Sequence, residues 1–241
     1  MSAGTLPTPV QVSPPSPRGS LLAAVELMKT LGRGESVLIA PVSWGEYLWF
    51  DAQRDYLRPN VKLVYADGRL EFMATSFAHD RHSRRVHDVV KVVAEELGVV
   101  LIAGGGMTLN RDDLESGLQA DECFYIQSVE AVRFLDEIDL ATHPPPDLAV
   151  EVDRTNSSIP KEPIYRRLGV PELWRVEANA VTFRVRQSDG TYADQPNSRA
   201  FPLVSSADLT RLVFAHTGLD DITFIRNVRN WVRTLVPPPQ P

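Results

Sequence analysis

The sequence predicts an α/β fold, in which a mixed β-sheet is flanked by helices and preceded by an N-terminal β-hairpin. Three observations predict it: an Asp-Gly turn between two apolar runs, apolar residues at helical spacing, and a buried apolar run followed by a short helix. Strand and helix signals alternate along the chain, an order that is typical of helices packed on the faces of a sheet.

The first part of the chain predicts a hairpin, a helix and a strand. Residues 61–65 and 69–73 are apolar-rich runs joined through Asp-Gly, which is a strong hairpin signal. Apolar side chains then recur at helical spacing as far as Gly98, a residue that suits a helix end: Val86, Val89, Val90, Val93, Ala94 and Leu97. Residues 99–103 form a further apolar run that predicts a buried strand, ended by three glycines.

The second part predicts more strands and two further helices. From their apolar or alternating patterns we expect strands at 123–126, 148–152, 172–177 and 181–187. A short helix around 163–168 has proline near its first turn and ends at Gly169. Four apolar residues at helical spacing predict an amphipathic C-terminal helix: Ile225, Val228, Val232 and Leu235.

Composition indicates how many domains the chain has and which residues belong to the folded part. The chain has 241 residues, of which 43% are hydrophobic, enough for one domain with a core. Proline and serine dominate residues 1–20, and a proline tail occupies 237–241, so we expect flexible ends around a single domain over 21–236. The single cysteine excludes an internal disulfide framework and is expected to be a small buried residue.

Charge and hydropathy restrict the partners. With 25 Lys and Arg against 31 Asp and Glu, the net charge is −6, which argues against histone-like binding of nucleic acid but allows local basic patches. Apolar runs stay well short of the roughly 20 residues of a membrane span, and the N-terminus lacks an export-signal pattern. We therefore expect a cytoplasmic protein with no membrane partner.

Acidic residues in the apolar run Leu148–Val152 suggest a metal site. An ionised carboxylate inside a sheet needs a cation or a hydrogen-bonded partner, and Mg²⁺ takes oxygen ligands. At roughly 3.3 Å per residue, Glu151 lies about 6.6 Å from Asp153 and about 13 Å from Asp147 on the same strand face. Glu151 is therefore the better ligand. Asp147 marks the start of the strand, and we expect Asp153 to leave it as a solvent-facing turn residue.

Two further charged residues can cooperate with Glu151. Asp121 directly precedes the strand at 123–126 and could hold a divalent ion together with Glu151; taken alone it would be a turn or cap residue. Lys161 lies at the start of the short helix, where a positive charge is unfavourable beside the helix dipole. This position suggests that its ammonium faces an anion, and the alternative is a solvated surface lysine.

These motifs together resemble those of a known family. The resemblance rests on Asp121, Pro-Pro-Asp-Leu-Ala-Val-Glu-Val at 145–152, Lys161 with Tyr165, Gly-Val-Pro-Glu-Leu-Trp at 169–174, and upstream Tyr65, Asp67-Gly68, Leu70-Glu71, Met73 and His79-Asp80. In this order and spacing they are similar to the Uma-type family of bacterial restriction endonucleases, within the PD-(D/E)XK nuclease superfamily. The likeness covers about 40–215.

The resemblance implies a restriction-endonuclease-like fold and a nuclease that uses Mg²⁺ or Mn²⁺ to hydrolyse phosphodiester bonds, with DNA as the expected substrate. Asp121 would be the first metal ligand and Glu151 the second, and Lys161 would orient or activate water. Glu71 would contribute near the metal; the alternative is a solvent-facing carboxylate paired with Arg69. A homodimer is expected, since two active sites suit a two-stranded substrate.

Departures from the family's pattern favour a different function. The superfamily's lysine, two residues after the second acid, is replaced by Asp153. Asp80 stands where relatives carry glutamate after His79, and Ala120 replaces a proline before Asp121. In the nuclease interpretation, His79, Asp80 and Asp153 would be auxiliary residues of the site. The missing lysine at 153 and the altered acid at 80 favour the alternative, a catalytically inactive protein of the same fold that binds nucleic acid or another protein.

A basic face follows on the predicted helix after His79. It consists of Arg81, Arg84, Arg85 and Lys91. Beside an acidic metal site, such a face suits contact with the phosphate backbone of nucleic acid. An ordinary solvated helix face is the alternative, and the same applies to Arg226, Arg229 and Arg233 on the last helix.

Overall fold

The computed structural model describes residues 19–153, 157–177, 179–215 and 218–236. The α-helices in these ranges are α1 (Gly19–Thr30), α2 (Trp44–Leu57), α3 (Phe77–Leu97), α4 (Val129–Val132), α5 (Glu162–Leu168), α6 (Ser206–Ala215) and α7 (Asp221–Leu235). The strands are β1 (Ser36–Ile39), β2 (Val61–Ala66), β3 (Arg69–Ala74), β4 (Ile102–Ala103), β5 (Thr108–Arg111), β6 (Ser116–Gln119), β7 (Glu122–Tyr125), β8 (Leu148–Val152), β9 (Glu172–Glu177), β10 (Ala180–Arg186) and β11 (Tyr192–Gln195). The predicted flexible ends lie outside the described residues, except that α1 begins at Gly19.

The strands form two sheets. The first is antiparallel, with the order β1-β3-β2-β6-β5. The second has the order β11-β10-β9-β8-β7-β4 and is mixed, because β8 and β9 run parallel while their neighbours are antiparallel. The helix α5 lies in the crossover connection that a parallel pair requires. The predicted α/β class is confirmed, and the N-terminal hairpin β2–β3 lies in the five-stranded antiparallel sheet, not in the mixed one.

The hairpin and the long helix follow their local sequence signals. Asp67 and Gly68 have φ angles of 52° and 73°, and two successive positive values are what a tight two-residue turn between β2 and β3 requires. Helix α3 begins after Ser76, whose side chain accepts a hydrogen bond from the backbone N–H of His79. It ends at Gly98, where φ is 66°. Both predictions are confirmed.

The predicted strand over 99–103 is mostly wrong. Only Ile102 and Ala103 pair with a neighbour, as the edge strand β4. The N–H of Val99 bonds to the carbonyl of Ala94 at the end of α3, and Val100 is exposed. The turn that closes the helix therefore takes up the start of this apolar run, and Leu101 packs against the core without joining a strand.

Buried side chains form layers that position β8. Helices α3 and α6 cover one face of the second sheet: α3 packs over β8 with its Leu148, Val150 and Val152, and α6 packs over β10, while α7 packs on α3. The opposite face carries Ala149 and packs against α5 and against strands of the first sheet. Helices α1 and α2 cover the hairpin on its far side. The side of β8 that carries Glu151 therefore faces the junction of the two sheets. Among the described helices none has the length and apolarity needed to cross a lipid bilayer.

Candidate active site

Asp121 and Glu151 lie opposite each other at one end of β7 and β8. These strands are antiparallel, and their paired register ends where Glu122 lies opposite Val150, one residue before Asp121 and Glu151. The N–H of Asp121 donates to the carbonyl of Val150 (3.2 Å), and its Oδ2 accepts from the N–H of Val152 (2.6 Å). The charges of both acids act on the same ammonium, that of Lys161. Two strands thus bring together two acids that are 30 positions apart in the chain.

Asp121 is a buried anion held by two cationic groups. Lys62 of β2 donates to its Oδ1, and Nε2 of His79 lies 3.2 Å from the same atom. Burial alone would raise the pKa of Asp121, but the charge of Lys62 and the hydrogen bond from His79 outweigh it and hold the pKa well below its usual range. Asp121 is therefore ionised at neutral pH.

Glu151 is buried against the ammonium of Lys161 and the hydroxyl of Tyr165, which donate to its two carboxylate oxygens. Burial raises the pKa of Glu151, and Lys161 opposes that shift. Burial would also lower the pKa of Lys161, but the charges of Glu151, Asp121 and Asp153 outweigh it and raise that pKa. The ammonium at the start of α5 thus keeps its charge, because it faces carboxylates.

Asp153 does not turn into solvent, so that expectation is wrong. Its side chain is mostly buried; Oδ1 lies 3.6 Å from Nζ of Lys161 and Oδ2 lies 3.1 Å from a guanidinium nitrogen of Arg175 on β9. The neighbouring parallel strand supplies this second cation. Asp153 therefore helps to hold Lys161 in place at the position where the superfamily carries a lysine.

Glu71 is fully buried and binds the segment that leads to Lys161. Its carboxylate accepts hydrogen bonds from the Ser157 hydroxyl (2.6 Å) and from the backbone N–H groups of Ser158 (3.0 Å) and Ile159 (3.2 Å). The alternative of a solvent-facing carboxylate paired with Arg69 is therefore wrong. Glu71 links β3 of the first sheet to the segment before α5.

His79 connects Asp121 to the exposed Asp80. Its Nδ1 lies 3.2 Å from Oδ1 of Asp80, while its Nε2 faces Asp121. Burial would lower the pKa of His79, but the hydrogen bond and charge of Asp121 outweigh it and raise the pKa. Of the two predicted auxiliary residues, His79 therefore contacts Asp121 directly, and Asp80 is linked to it only through His79.

The predicted basic face of α3 is only partly available. Arg85 is 3% exposed, donates to the carbonyl of Leu219 (2.7 Å) and lies 4.8 Å from the centre of the Phe224 ring. The phosphate contact predicted for Arg85 is wrong, because this side chain packs α3 against α7. Arg81 also donates to Leu219, over 3.1 Å. Arg84 has a 75% exposed side chain.

Of the other basic residues on α3 and α7, some are exposed and others form ion pairs between the helices. Lys91 is exposed. On the last helix, Arg229 and Arg233 form ion pairs with Glu95 and Glu96 of α3 at distances of 2.8–3.0 Å. These two arginines therefore join helices, and the exposed cations of α3 are concentrated at Arg84 and Lys91.

Two adjoining clefts lie beside Asp121, whose own side chain is fully buried. The larger has a volume of about 340 Å³ and includes Arg84, and the smaller has about 280 Å³ and includes Lys161. Lys62, His79 and Asp121 line both clefts. The two clefts therefore meet at the carboxylate that is expected to be the first metal ligand.

Lys62 is the site residue that the sequence analysis missed. It is a lone charged residue in the otherwise apolar strand β2, and its Nζ also donates to the carbonyl of Ala120 over 3.0 Å. A single lysine in an apolar run is the signal that could have indicated it, since a buried ammonium needs a partner.

Asp121 and Glu151 are the carboxylates that could hold a hard divalent cation here, and their oxygens accept from Lys62, Lys161, Tyr165 and the N–H of Val152 in this structure. Mg²⁺ prefers oxygen ligands and is usually bound by one or two carboxylates together with water and substrate phosphate. Within the described ranges, no group of three or more His, Cys, Asp and Glu side chains is close enough to hold a metal ion.

Comparisons with known proteins relate the chain to one family. No curated protein matches the chain. A crystal structure titled as a "putative nuclease belonging to DUF820", from Anabaena variabilis, is 14% identical with a TM-score of 0.41, and covers 70% of this chain and 90% of that chain. The sequence profile of the Uma2 family, described as "Putative restriction endonuclease", matches residues 44–215. The chain therefore belongs to the Uma2 family.

Proposed function

We propose that this protein is a metal-dependent endonuclease that hydrolyses phosphodiester bonds in DNA. The observation that carries the proposal is the pairing of Asp121 with Glu151 across β7 and β8, each acid with its own lysine, beside two open clefts. Membership of the Uma2 family supports the reaction class.

Asp121 and Glu151 would hold Mg²⁺ or Mn²⁺, which when bound supplies charge neutralisation at the phosphate and a more acidic water. The chain's own residues fix the two acids. The Val152 N–H and His79 orient Asp121, while Tyr165 holds the oxygen of Glu151 that Lys161 does not contact. Both carboxylates are thus oriented before a substrate arrives, which avoids reorganisation during the reaction.

Lys161 would stabilise negative charge that develops on the phosphate or orient the attacking water. Its ammonium stays protonated because Glu151 and Asp153 lie beside it, so it can donate hydrogen bonds but is unsuited to accept a proton. Glu71 supports it indirectly, by holding the segment at Ser158 and Ile159.

The proposal is tested by incubating supercoiled plasmid and, separately, single-stranded DNA with the protein and Mg²⁺ or Mn²⁺, with EDTA as the blank. We expect nicking by the wild type and a loss of about 100-fold or more in Glu151→Gln, since one preorganised charge is removed. Glu26→Gln makes the same chemical change at an exposed position of α1 and should cleave like the wild type. Equal cleavage by wild type and Glu151→Gln would refute the proposal.

A second candidate is a catalytically inactive nucleic-acid-binding or protein-interaction module of the same fold. It is favoured by Asp153 at the superfamily's lysine position and by the protein cations that already neutralise Asp121 and Glu151. DNA binding without cleavage in either metal would select this candidate.

We further propose a homodimer, the state that the resemblance to restriction endonucleases implies. Light scattering in solution should then give twice the chain mass, and a single chain mass would exclude the dimer.

A further inference from the structure

Lys62 occupies the junction of the two clefts. It lines both of them, whereas Lys161 lines only the smaller one. Its side chain is 18% exposed, twice the 9% of Lys161. An ammonium has three N–H donors, and the described contacts of Lys62 to Ala120 and Asp121 use two of them. Lys62 is therefore placed to give a further hydrogen bond to an anion in the clefts.

The polar groups in the clefts suit phosphate and sugar. Asn60, Gln119 and Arg84 line the larger cleft, and Thr75 and Ser76 line the smaller. Amide, hydroxyl and guanidinium groups are the side chains that contact the nucleic-acid backbone. Volumes of about 340 and 280 Å³ lie near the lower end of small-ligand pockets. Each cleft therefore takes a group the size of a nucleotide.

Among the described residues around the clefts, the predicted basic face offers few contacts for a second strand. A protein that binds duplex DNA buries about 1,000–2,500 Å² and makes many phosphate contacts. Arg81 and Arg85, which would provide such contacts, are turned to the carbonyl of Leu219. The exposed carboxylate of Asp80 lies in the larger cleft and repels further phosphates.

We propose that the two clefts together bind a short single-stranded segment of DNA, with one phosphodiester against Lys62 and the flanking nucleotides in the two clefts. This inference rests on the proposed function, because it places the bound phosphate beside Asp121. It adds the form of the substrate and a residue, Lys62, that contacts it.

The first test measures binding in EDTA, where no cleavage occurs, by fluorescence anisotropy of a labelled single strand of about 12 nucleotides. We expect the strand to bind at least about tenfold more tightly than a blunt duplex of the same sequence. Lys62→Met should weaken strand binding about tenfold and reduce the slope of log K against log salt concentration by about 0.7. Lys29→Met, at an exposed lysine of α1, is the matched control and should change neither.

The second test uses the wild-type protein and so does not depend on the folding of a variant. Lysine acetylation is followed by mass spectrometry with and without the strand. We expect the strand to protect Lys62, and the duplex to leave it unprotected. Equal affinity for strand and duplex, or equal acetylation of Lys62 with and without the strand, overturns the inference. A protein that binds and protects as expected but cleaves nothing in Mg²⁺ or Mn²⁺ refutes the proposed function alone.

Discussion

Replacing Glu71 by glutamine should release the segment 157–159 from β3. In the wild type both carboxylate oxygens face this segment, and they accept from the N–H groups of Ser158 and Ile159 and from the hydroxyl of Ser157. Glutamine keeps one acceptor oxygen but turns an NH₂ group toward donors. The change therefore removes a charge-assisted interaction without creating a cavity.

The expected cost follows from these contacts. A hydrogen bond to a charged group contributes about 1.5–3 kcal/mol, and a buried donor left without an acceptor costs about 1–3 kcal/mol. Because glutamine retains one acceptor, we expect a loss of about 2–3 kcal/mol in the free energy of opening this segment. That loss corresponds to a factor of about 30–150 in the opening equilibrium.

Amide hydrogen exchange measures this opening directly. The amides of Ser158 and Ile159 should exchange about 30–150 times faster in Glu71→Gln, while amides in the core of α3 change much less, because local segments open independently of global unfolding. Arg69→Ala, on the same strand, is the control and should leave both amides unchanged. If the segment moves Lys161 with it, kcat should fall in Glu71→Gln while KM changes little.

Unchanged exchange at Ser158 and Ile159 would refute the reasoning, since the hydrogen bonds would then contribute nothing to holding the segment. If activity is also lost in that case, Glu71 acts at the reaction centre itself, as the family resemblance implies.

Three further predictions concern stability. A Cβ at position 117 would lie 2.1 Å from Oδ1 of Asn110, so Gly117→Ala should destabilise the fold by about 1–3 kcal/mol in thermal unfolding, whereas Gly45→Ala, with open space in α2, should not. Arg85→Ala should cost about 1–3 kcal/mol in urea unfolding, with DNA affinity retained, because this guanidinium packs helices. Burial raises the pKa of Glu172, so the folded state holds that proton more readily than the unfolded state. Stability should then fall as the pH rises from about 4.3 through the raised pKa, and Glu172→Gln should lack this decrease in unfolding free energy.

Elements with a strong local signal could be predicted from the sequence. The turn at Asp67-Gly68 and the apolar stripe of α3 need no information from distant residues. Helix α2 was not predicted, although Ser43 and Glu46 form a capping box at its start, because its apolar residues lack a regular spacing. Strand β5, with the polar sequence Thr-Leu-Asn-Arg, forms only because β6 pairs with it.

The candidate site likewise contains some residues that a local sequence pattern indicates and others that it does not. Asp121 and Glu151 stand out because acids are unusual beside buried strands. The contact between Lys62 and Asp121 joins residues 59 positions apart on different sheets, so no local pattern contains it. Arg85 has the helical position of a surface residue, and it is buried only because α7 packs over it. What sequence alone could not supply in each case is the docking of one element on another.

The pairing of Lys62 with Asp121 also fastens the two sheets together. The same charges therefore serve the interface and the proposed chemistry. Removing Asp121 leaves the largely buried ammonium of Lys62 without its ionic partner, which typically costs about 3–5 kcal/mol, whereas Asp121 without Lys62 still contacts His79 and the N–H of Val152. Loss of the acid alone is thus disfavoured on stability grounds even in a protein that no longer cleaves anything. Family members that have lost catalysis should therefore carry substitutions at both positions 62 and 121. Covariation of these two positions would then indicate loss of activity.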